Sequence, residues 1–325
     1  MTGLAASMAG FATAGYEAFV RLRRAADSRG PLDRTVVSVG NIGFGGRGKT
    51  PVVAGLAALA VSEGFRPAVL TRGYRGRRTS SPRVAVGAAS SAPPWRRLVR
   101  VEDEVRPAYR WASVIGDEPA WLAGSLPGVP IVVHADRRRA AAAAPSADLL
   151  FLDDGGQTPL PRDVDLLCVD PEVDPPWSAR PTPGREGARR LGEADIVAAV
   201  GHSGASAVSG VSVTLRRTWG GLYDLTGARV DPPGAAHLVA GVGRPIGVLR
   251  LLERRVPDIT RGRLANHAVP GRNRIARWRT RGRPIVTTEK DAVRWGMAAG
   301  DVLVVRMEIE GLDALWARVH GAVLC

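Results

Sequence analysis

One stretch restricts the possible folds of this chain more than any other. The β-branched apolar run Thr35-Val-Val-Ser-Val-Gly40 is followed closely by Gly43-Phe-Gly-Gly-Arg-Gly48-Lys49-Thr50. Residues 51–62 then read as a helix, with Pro51 tolerated in the first turn and Gly64 as a stop, and Pro67-Ala-Val-Leu70 reads as the next strand. Strand, glycine-rich loop, helix, strand is the setting in which glycine-freed backbone amides surround a phosphate chain. Gly43, Phe44, Gly45, Gly46, Arg47, Gly48, Lys49 and Thr50 are therefore nucleotide-binding candidates. The Lys49 ammonium suits the outer phosphates as a compact charge, and the Thr50 hydroxyl suits Mg²⁺. Of the 45 Lys and Arg residues only Lys49 and Lys290 are Lys. A chain so rich in Arg keeps Lys where a planar guanidinium does not fit. The ligand to look for is ATP or GTP.

The pattern around that loop extends along the chain. Strand candidates at 35–40, 67–71, 130–135, 147–152 and 164–170 alternate with helix candidates at 51–62, 118–125 and 136–144. Such alternation predicts an α/β fold of the P-loop NTPase type, with a mostly parallel sheet covered by helices on both faces. A length of 325 residues exceeds one typical core. The stretch 171–190, rich in Pro, Gly and charge, reads as a linker or hinge between a nucleotide-binding domain at 31–170 and a smaller α/β domain at 191–325 that closes the cleft. In that second run, strands are expected at 195–201, 237–241, 284–288 and 302–307, with helices near 245–255 and 289–297. Residues 79–115 show no usable period.

Charge and the N-terminus bear on partners. The formal net charge of +14 fits nucleic acid, an anionic membrane surface or a polyanionic substrate. No nucleic-acid-binding signature accompanies it, and the Arg residues are scattered. Two Cys, Cys168 and Cys325, offer neither a disulfide framework nor zinc spacing. Between Thr2 and Val20 the only charge is Glu17, while Leu4, Met8, Phe11, Gly15, Phe19 and Leu22 recur at helical spacing ahead of Arg21, Arg23, Arg24 and Arg29. Residues 1–30 thus read as a membrane-associated amphipathic helix whose Arg meet anionic headgroups, or as a helix packed on the body of the protein.

Several carboxylates sit where chemistry could use them. The apolar run Leu149–Leu152 ends in Asp153-Asp154-Gly155, the arrangement that delivers an Asp to Mg²⁺ beside a phosphate loop. Gly116-Asp117-Glu118-Pro119 lies at the start of a helix; capping explains it, and so does a base beside a metal ligand. Thr71-Arg72-Gly73-Tyr74 ends the second strand in a basic loop, where doubly wound sheets bind ligands. His267 suits proton transfer or a structural role. In Thr288-Glu289-Lys290-Asp291, capping explains the Thr and Glu but not why this basic residue is Lys.

In order from about residue 35 to 295, these segments resemble the tetraacyldisaccharide 4′-kinase family. The matching stretches are Val39-Gly-Asn41-Ile42 with the loop and Pro51, Thr71–Tyr74, Gly116–Pro119, Asp153-Asp-Gly155 with Gln157, Arg162-Asp163, Arg185-Glu186, Ala194-Asp195 and Thr288–Ala292. The resemblance implies transfer of the ATP γ-phosphate to the 4′-hydroxyl of a tetraacylated glucosamine disaccharide 1-phosphate, at the cytoplasmic face of the inner membrane, with ATP and Mg²⁺. It implies catalytic roles for Lys49, for Asp117 as base and for His267 as its partner. Thr50, Glu118, Asp153 and Asp154 would surround the metal. Arg185 and Glu186 would lie near the nucleotide, and Arg72, Gly73 and Tyr74 would face the lipid. Thr158, Asn266 and Arg47 depart from a family His, Asp and small residue. A P-loop ATPase or GTPase switch, or a basic binding protein without catalysis, are the other readings of the residues. The first predicts turnover without a lipid, the second salt-sensitive nucleic-acid or membrane binding without turnover.

Overall fold

The computed structural model describes residues 30–42, 46–171, 189–202, 210–243, 245–279, 282–296 and 302–324, with residues 15, 18–20 and 22 nearer the N-terminus. Most of the expected N-terminal helix and most of the 171–190 linker lie outside the described residues; residues 15, 18–20 and 22 are helical. In chain order the elements are β1 (Thr35–Gly40), α1 (Lys49–Ser62), β2 (Pro67–Thr71), β3 (Arg83–Gly87), β4 (Leu98–Val101), β5 (Glu104–Pro107), α2 (Ala108–Ile115), α3 (Asp117–Ser125), β6 (Ile131–Val133), α4 (Arg137–Ala142), β7 (Leu149–Asp153) and β8 (Val164–Val169). There follow α5 (Arg189–Gly192), β9 (Ile196–Gly201), β10 (Val213–Tyr223), β11 (Arg229–Val230), β12 (Ala235–Val239), α6 (Ile246–Glu253), β13 (Asp258–Gly262), α7 (Arg272–Arg279), β14 (Ile285–Thr288), α8 (Glu289–Trp295), β15 (Val302–Glu310) and α9 (Leu312–Leu324).

These elements group into two compact units that are not consecutive in sequence. The first comprises Met1–Arg72, Asp136–Arg217 and Ile309–Cys325, the second Gly73–Ala135 and Thr218–Glu308. The linear division expected from the sequence differs, because residues 73–135 leave the first unit after β2. That excursion carries β3, β4 and β5, strands of five, four and four residues. Strands so short leave no long apolar period to read.

In the first unit the strands run β10-β9-β8-β1-β7-β2, every neighbouring pair parallel. Val36, Val37 and Val39 of β1 are sealed from solvent, as continuous β-branched runs in a doubly covered parallel sheet should be. The helix α1 buries Val52, Val53, Leu56, Ala57 and Ala60, so its apolar side is spent on packing and its N-terminal end is left for chemistry. The register pairs Val39 with Asp153, which puts the carboxylates ending β7 level with the exit of β1.

The second unit combines an antiparallel set, β6-β3-β4-β5, with a parallel set, β13-β12-β14-β15. Leu238, Val248, Leu249, Leu252, Val286 and Val305 form the core between α6 and the parallel strands. The helix α8 packs on both α2 and α3. This joins the excursion to the later half of the chain and brings residues more than 150 positions apart into one cluster. Among the described residues no helix is long and apolar enough to cross a membrane.

Candidate active site

The described part of the phosphate-loop candidate, Gly46–Thr50, lies in the first unit. Gly48 caps α1 in the left-handed region at φ 83°, with no side chain capping the helix. Its carbonyl accepts the Val52 N–H at 3.0 Å. A Cβ at Gly48 would come within 2.9 Å of Val200 Cγ1, so both φ and space require glycine. The first N–H groups of the 14-residue α1, together with its dipole, are the anion-binding end of the helix. Gly48→Ala is expected to raise the Kd for ATP by about tenfold or more through backbone strain alone, measured by titration calorimetry. Unchanged affinity would contradict this use of the glycine.

Lys49 opens α1. Its ammonium donates to Asn41 Oδ1 at 2.7 Å and pairs with Asp154 Oδ1 at 3.0 Å. Asp154 itself has φ 56°, a conformation that Asp tolerates better than most residues. Asp153 is 1% exposed. Thr50 and Arg47, in and beside the first turn of α1, are also buried. The turn after β7 is fastened by Arg162, whose Nη1 donates to Ser38 Oγ at 3.0 Å and Gly155 O at 3.2 Å and whose Nη2 donates to Thr158 O at 2.7 Å. Asp163 accepts the Val36 N–H at 2.7 Å. The Arg162-Asp163 pair thus ties the carboxylate turn to β1, a structural task the sequence did not reveal. Gly43, Phe44, Gly45, Arg185 and Glu186 lie outside the described residues.

This donor set fits a nucleoside triphosphate with Mg²⁺. Among the described residues no group of three or more His, Cys, Asp or Glu could hold a metal ion. Mg²⁺ beside a phosphate loop needs no such cage, since it takes one or two protein oxygens and completes its shell from phosphates and water. Burial pushes the Cys168 thiol up to about 12, an effect that Lys49 and Arg217 only partly offset, so it stays protonated and inert at neutral pH.

The second unit holds a different cluster, centred on Asp117 at the start of α3. Gly116 precedes it at φ 98°, and a Cβ there would meet the Tyr74 carbonyl oxygen at 2.8 Å. Gly73-Tyr74 and the start of the Gly116–Pro119 segment therefore close on each other through a residue without a side chain. His267 Nδ1 bonds Asp117 Oδ2 at 2.9 Å. The Tyr74 ring, 57% exposed, meets the His267 ring edge-on at 5.3 Å. His267 has φ 59°, fixed by its N–H on Gly241 O at 2.7 Å and by Arg75 Nη1 on its carbonyl at 3.1 Å. Gly73 lies in the same turn, its carbonyl accepting the Gly76 N–H at 2.9 Å. Arg72, exposed, ends the preceding segment in the first unit.

Sequence reasoning missed Arg294. Its Nε donates to Asp117 Oδ2 at 3.0 Å, and its Nη2 reaches the same oxygen. Its Nη1 bonds Asp291 Oδ1 at 2.9 Å. The one signal was position, since Lys290 and Arg294 are four apart on α8 and share a face. Lys290 has its own partner: the ammonium bonds Glu118 Oε1 at 2.8 Å. Thr288 caps α8 by accepting the Asp291 N–H at 3.2 Å, and Asp291, fully buried, accepts the Gly241 N–H at 3.1 Å. Burial pushes the Asp291 carboxyl up, against the charge of Arg294 and the donors from Thr288 and Gly241.

Burial alone would raise the Asp117 carboxyl, but the His267 hydrogen bond and the Arg294 charge outweigh it and hold the group well below the usual carboxylate range. A folded-state pKa below the unfolded value contributes stability that is present above about pH 4 and is lost as pH falls through the folded value. Wild-type Tm should therefore drop more steeply below about pH 4 than that of Asp117→Asn. Parallel acid slopes for the two proteins would count against the ionised pair.

The parallel sheet of the first unit, with Lys49 at the glycine-started end of α1 and two carboxylates ending the adjacent strand, defines a P-loop nucleotide-binding protein of the kinase type. The sequence profile of the LpxK family, Tetraacyldisaccharide-1-P 4'-kinase, matches residues 7–323, and the chain belongs to that family. The Tetraacyldisaccharide 4'-kinase of Chlamydia abortus is 32% identical over 86% of this chain and 78% of its own length. That of Anaeromyxobacter dehalogenans (strain 2CP-1) is 32% identical over 96% and 89%, and that of Methylobacterium sp. (strain 4-46) 35% over 93% and 89%. A crystal structure of LpxK from Aquifex aeolicus, an "apo" form in complex with ATP, shares the fold with a TM-score of 0.65, covering 96% of this chain and 97% of that one at 22% identity.

Proposed function

We propose that this protein is an ATP-dependent kinase. It transfers the γ-phosphate of ATP to the 4′-hydroxyl of a tetraacylated glucosamine disaccharide 1-phosphate, a step of lipid A biosynthesis. The observation that carries this is the Lys49 ammonium, set at the start of α1 by Asn41 and Asp154, in a chain of this family. Phosphoryl transfer asks a protein mainly for in-line positioning and charge neutralisation. The α1 amides, Lys49 and Thr50 bind and orient the phosphates. Thr50, Asp153 and Asp154 are the residues that would hold Mg²⁺, which when bound neutralises phosphate charge. Asp117 withdraws the proton of the sugar alcohol, a weak nucleophile without a base, and His267 holds Asp117 in place. Arg72, Gly73 and Tyr74 face the lipid headgroup, and Arg185 and Glu186 contribute near the nucleotide.

The acylated acceptor and the apolar residues before Arg21 support work at the cytoplasmic face of the inner membrane, as a peripheral or monotopic protein on an anionic surface. ADP release in detergent should depend on the disaccharide acceptor and prefer ATP over GTP. Steady ADP formation without any lipid would instead favour a hydrolytic switch and overturn the reading.

A further inference from the structure

We infer that Arg294 is a positioning residue for phosphoryl transfer: together with His267 it occupies Asp117 Oδ2 and leaves Oδ1 as the oxygen that takes the acceptor's proton. This rests on the kinase reading and adds to it both an atom and a residue. Every hydrogen bond found on the Asp117 carboxylate among the described residues falls on Oδ2: His267 Nδ1 at 2.9 Å, Arg294 Nε at 3.0 Å and Arg294 Nη2. A carboxylate fixed at one oxygen by a guanidinium edge and an imidazole cannot spin, so the other oxygen keeps one direction.

The guanidinium is itself locked. Its side chain is 7% exposed, and Nη1 spans Asp291 Oδ1 at 2.9 Å and Gly241 O at 3.2 Å. That same Gly241 carbonyl accepts the His267 N–H at 2.7 Å, and the Gly241 N–H donates to Asp291 at 3.1 Å. One backbone residue therefore sets the separation of the two groups that grip Asp117. A purely structural ion pair would not need the imidazole and the guanidinium to converge on one oxygen. In the step itself the acceptor oxygen bonds the γ-phosphorus, and the bond from that phosphorus to the β–γ bridging oxygen breaks. ADP leaves with that electron pair, and the alcohol proton passes to Asp117 Oδ1.

Lysine cannot reproduce the arrangement. One ammonium cannot place two donors on Asp117 and also span Gly241 and Asp291. The full chain in detergent, with γ-labelled ATP and the tetraacyl disaccharide 1-phosphate, should show kcat reduced about 100-fold in Arg294→Ala and at least about tenfold in Arg294→Lys, each with KM for ATP within about threefold of wild type. Methylguanidinium added to Arg294→Ala should restore part of the rate, which repair of folding alone would not do. Arg294→Lys keeps a cation on α8 and decides the matter if the alanine variant does not fold. A kcat within about threefold of wild type in Arg294→Lys, or a KM for ATP raised as much as kcat is lowered, overturns the inference while leaving the kinase reading intact. Absence of lipid labelling by the wild-type protein overturns both.

Discussion

Replacing Lys49 with Ala should lower kcat/KM for ATP by about 10³-fold, the scale of losing a preorganised charge from the transferring phosphoryl group. Lys49→Arg should do almost as badly. The ammonium sits between Asn41 Oδ1 at 2.7 Å and Asp154 Oδ1 at 3.0 Å, and the adjoining Gly48 leaves less than a methyl group's room before Val200. A planar guanidinium is wider and carries its donors in a fixed fork, so it cannot keep both contacts of the ammonium and also serve a phosphate. The helix α1 begins on glycine geometry rather than on the lysine side chain, and its buried apolar residues Val52, Val53, Leu56, Ala57 and Ala60 are kept in both variants. Circular dichroism and Tm should therefore stay close to wild type. An Arg variant with wild-type turnover would mean that the ammonium is not the phosphate ligand.

Asp117→Asn should lower kcat by about 10²–10⁴-fold, the usual contribution of a general base, with KM for ATP nearly unchanged. Asn is the informative substitution because Ala leaves Arg294 buried with only Asp291 for its charge. Uncompensated burial of a cation destabilises a fold by several kcal/mol, about 3–5 for a broken buried pair. Asp117→Ala should thus lose rate and the larger share of Tm, while Asp117→Asn keeps an oxygen for the His267 and Arg294 donors and should lose less Tm for a similar loss of rate. Comparing the two separates the proton-accepting task from the structural one. Near-normal turnover in Asp117→Asn would reject Asp117 as the base.

What was legible in the sequence was local. The elements β1, α1 and β2 could be read because consecutive residues carry the whole signal: a β-branched run, glycines, then a helix start. The expected strand at 147–152 is β7 at Leu149–Asp153, and the helix expected at 118–125 is α3 at Asp117–Ser125. The short antiparallel strands of residues 79–115 were not legible, nor was their membership of a unit completed by residues 218–308. Arg294 was hidden for a related reason. It is one Arg among 45 basic residues, and its meeting with Asp117 spans 177 positions. Lys290 stood out by residue type, but only the structure supplies its partner, Glu118. That pairing puts the Thr288–Asp291 motif and the Gly116–Pro119 segment in one cluster of the second unit.

The most direct test of the account follows the transferred phosphorus. Purified protein, γ-³²P-ATP, Mg²⁺ and tetraacyl disaccharide 1-phosphate should give a labelled lipid, and tandem mass spectrometry should place the new phosphomonoester on the 4′-oxygen of the distal glucosamine. Label recovered only as inorganic phosphate, or on any other oxygen of the acceptor, would contradict the assignment of this chain as a 4′-kinase.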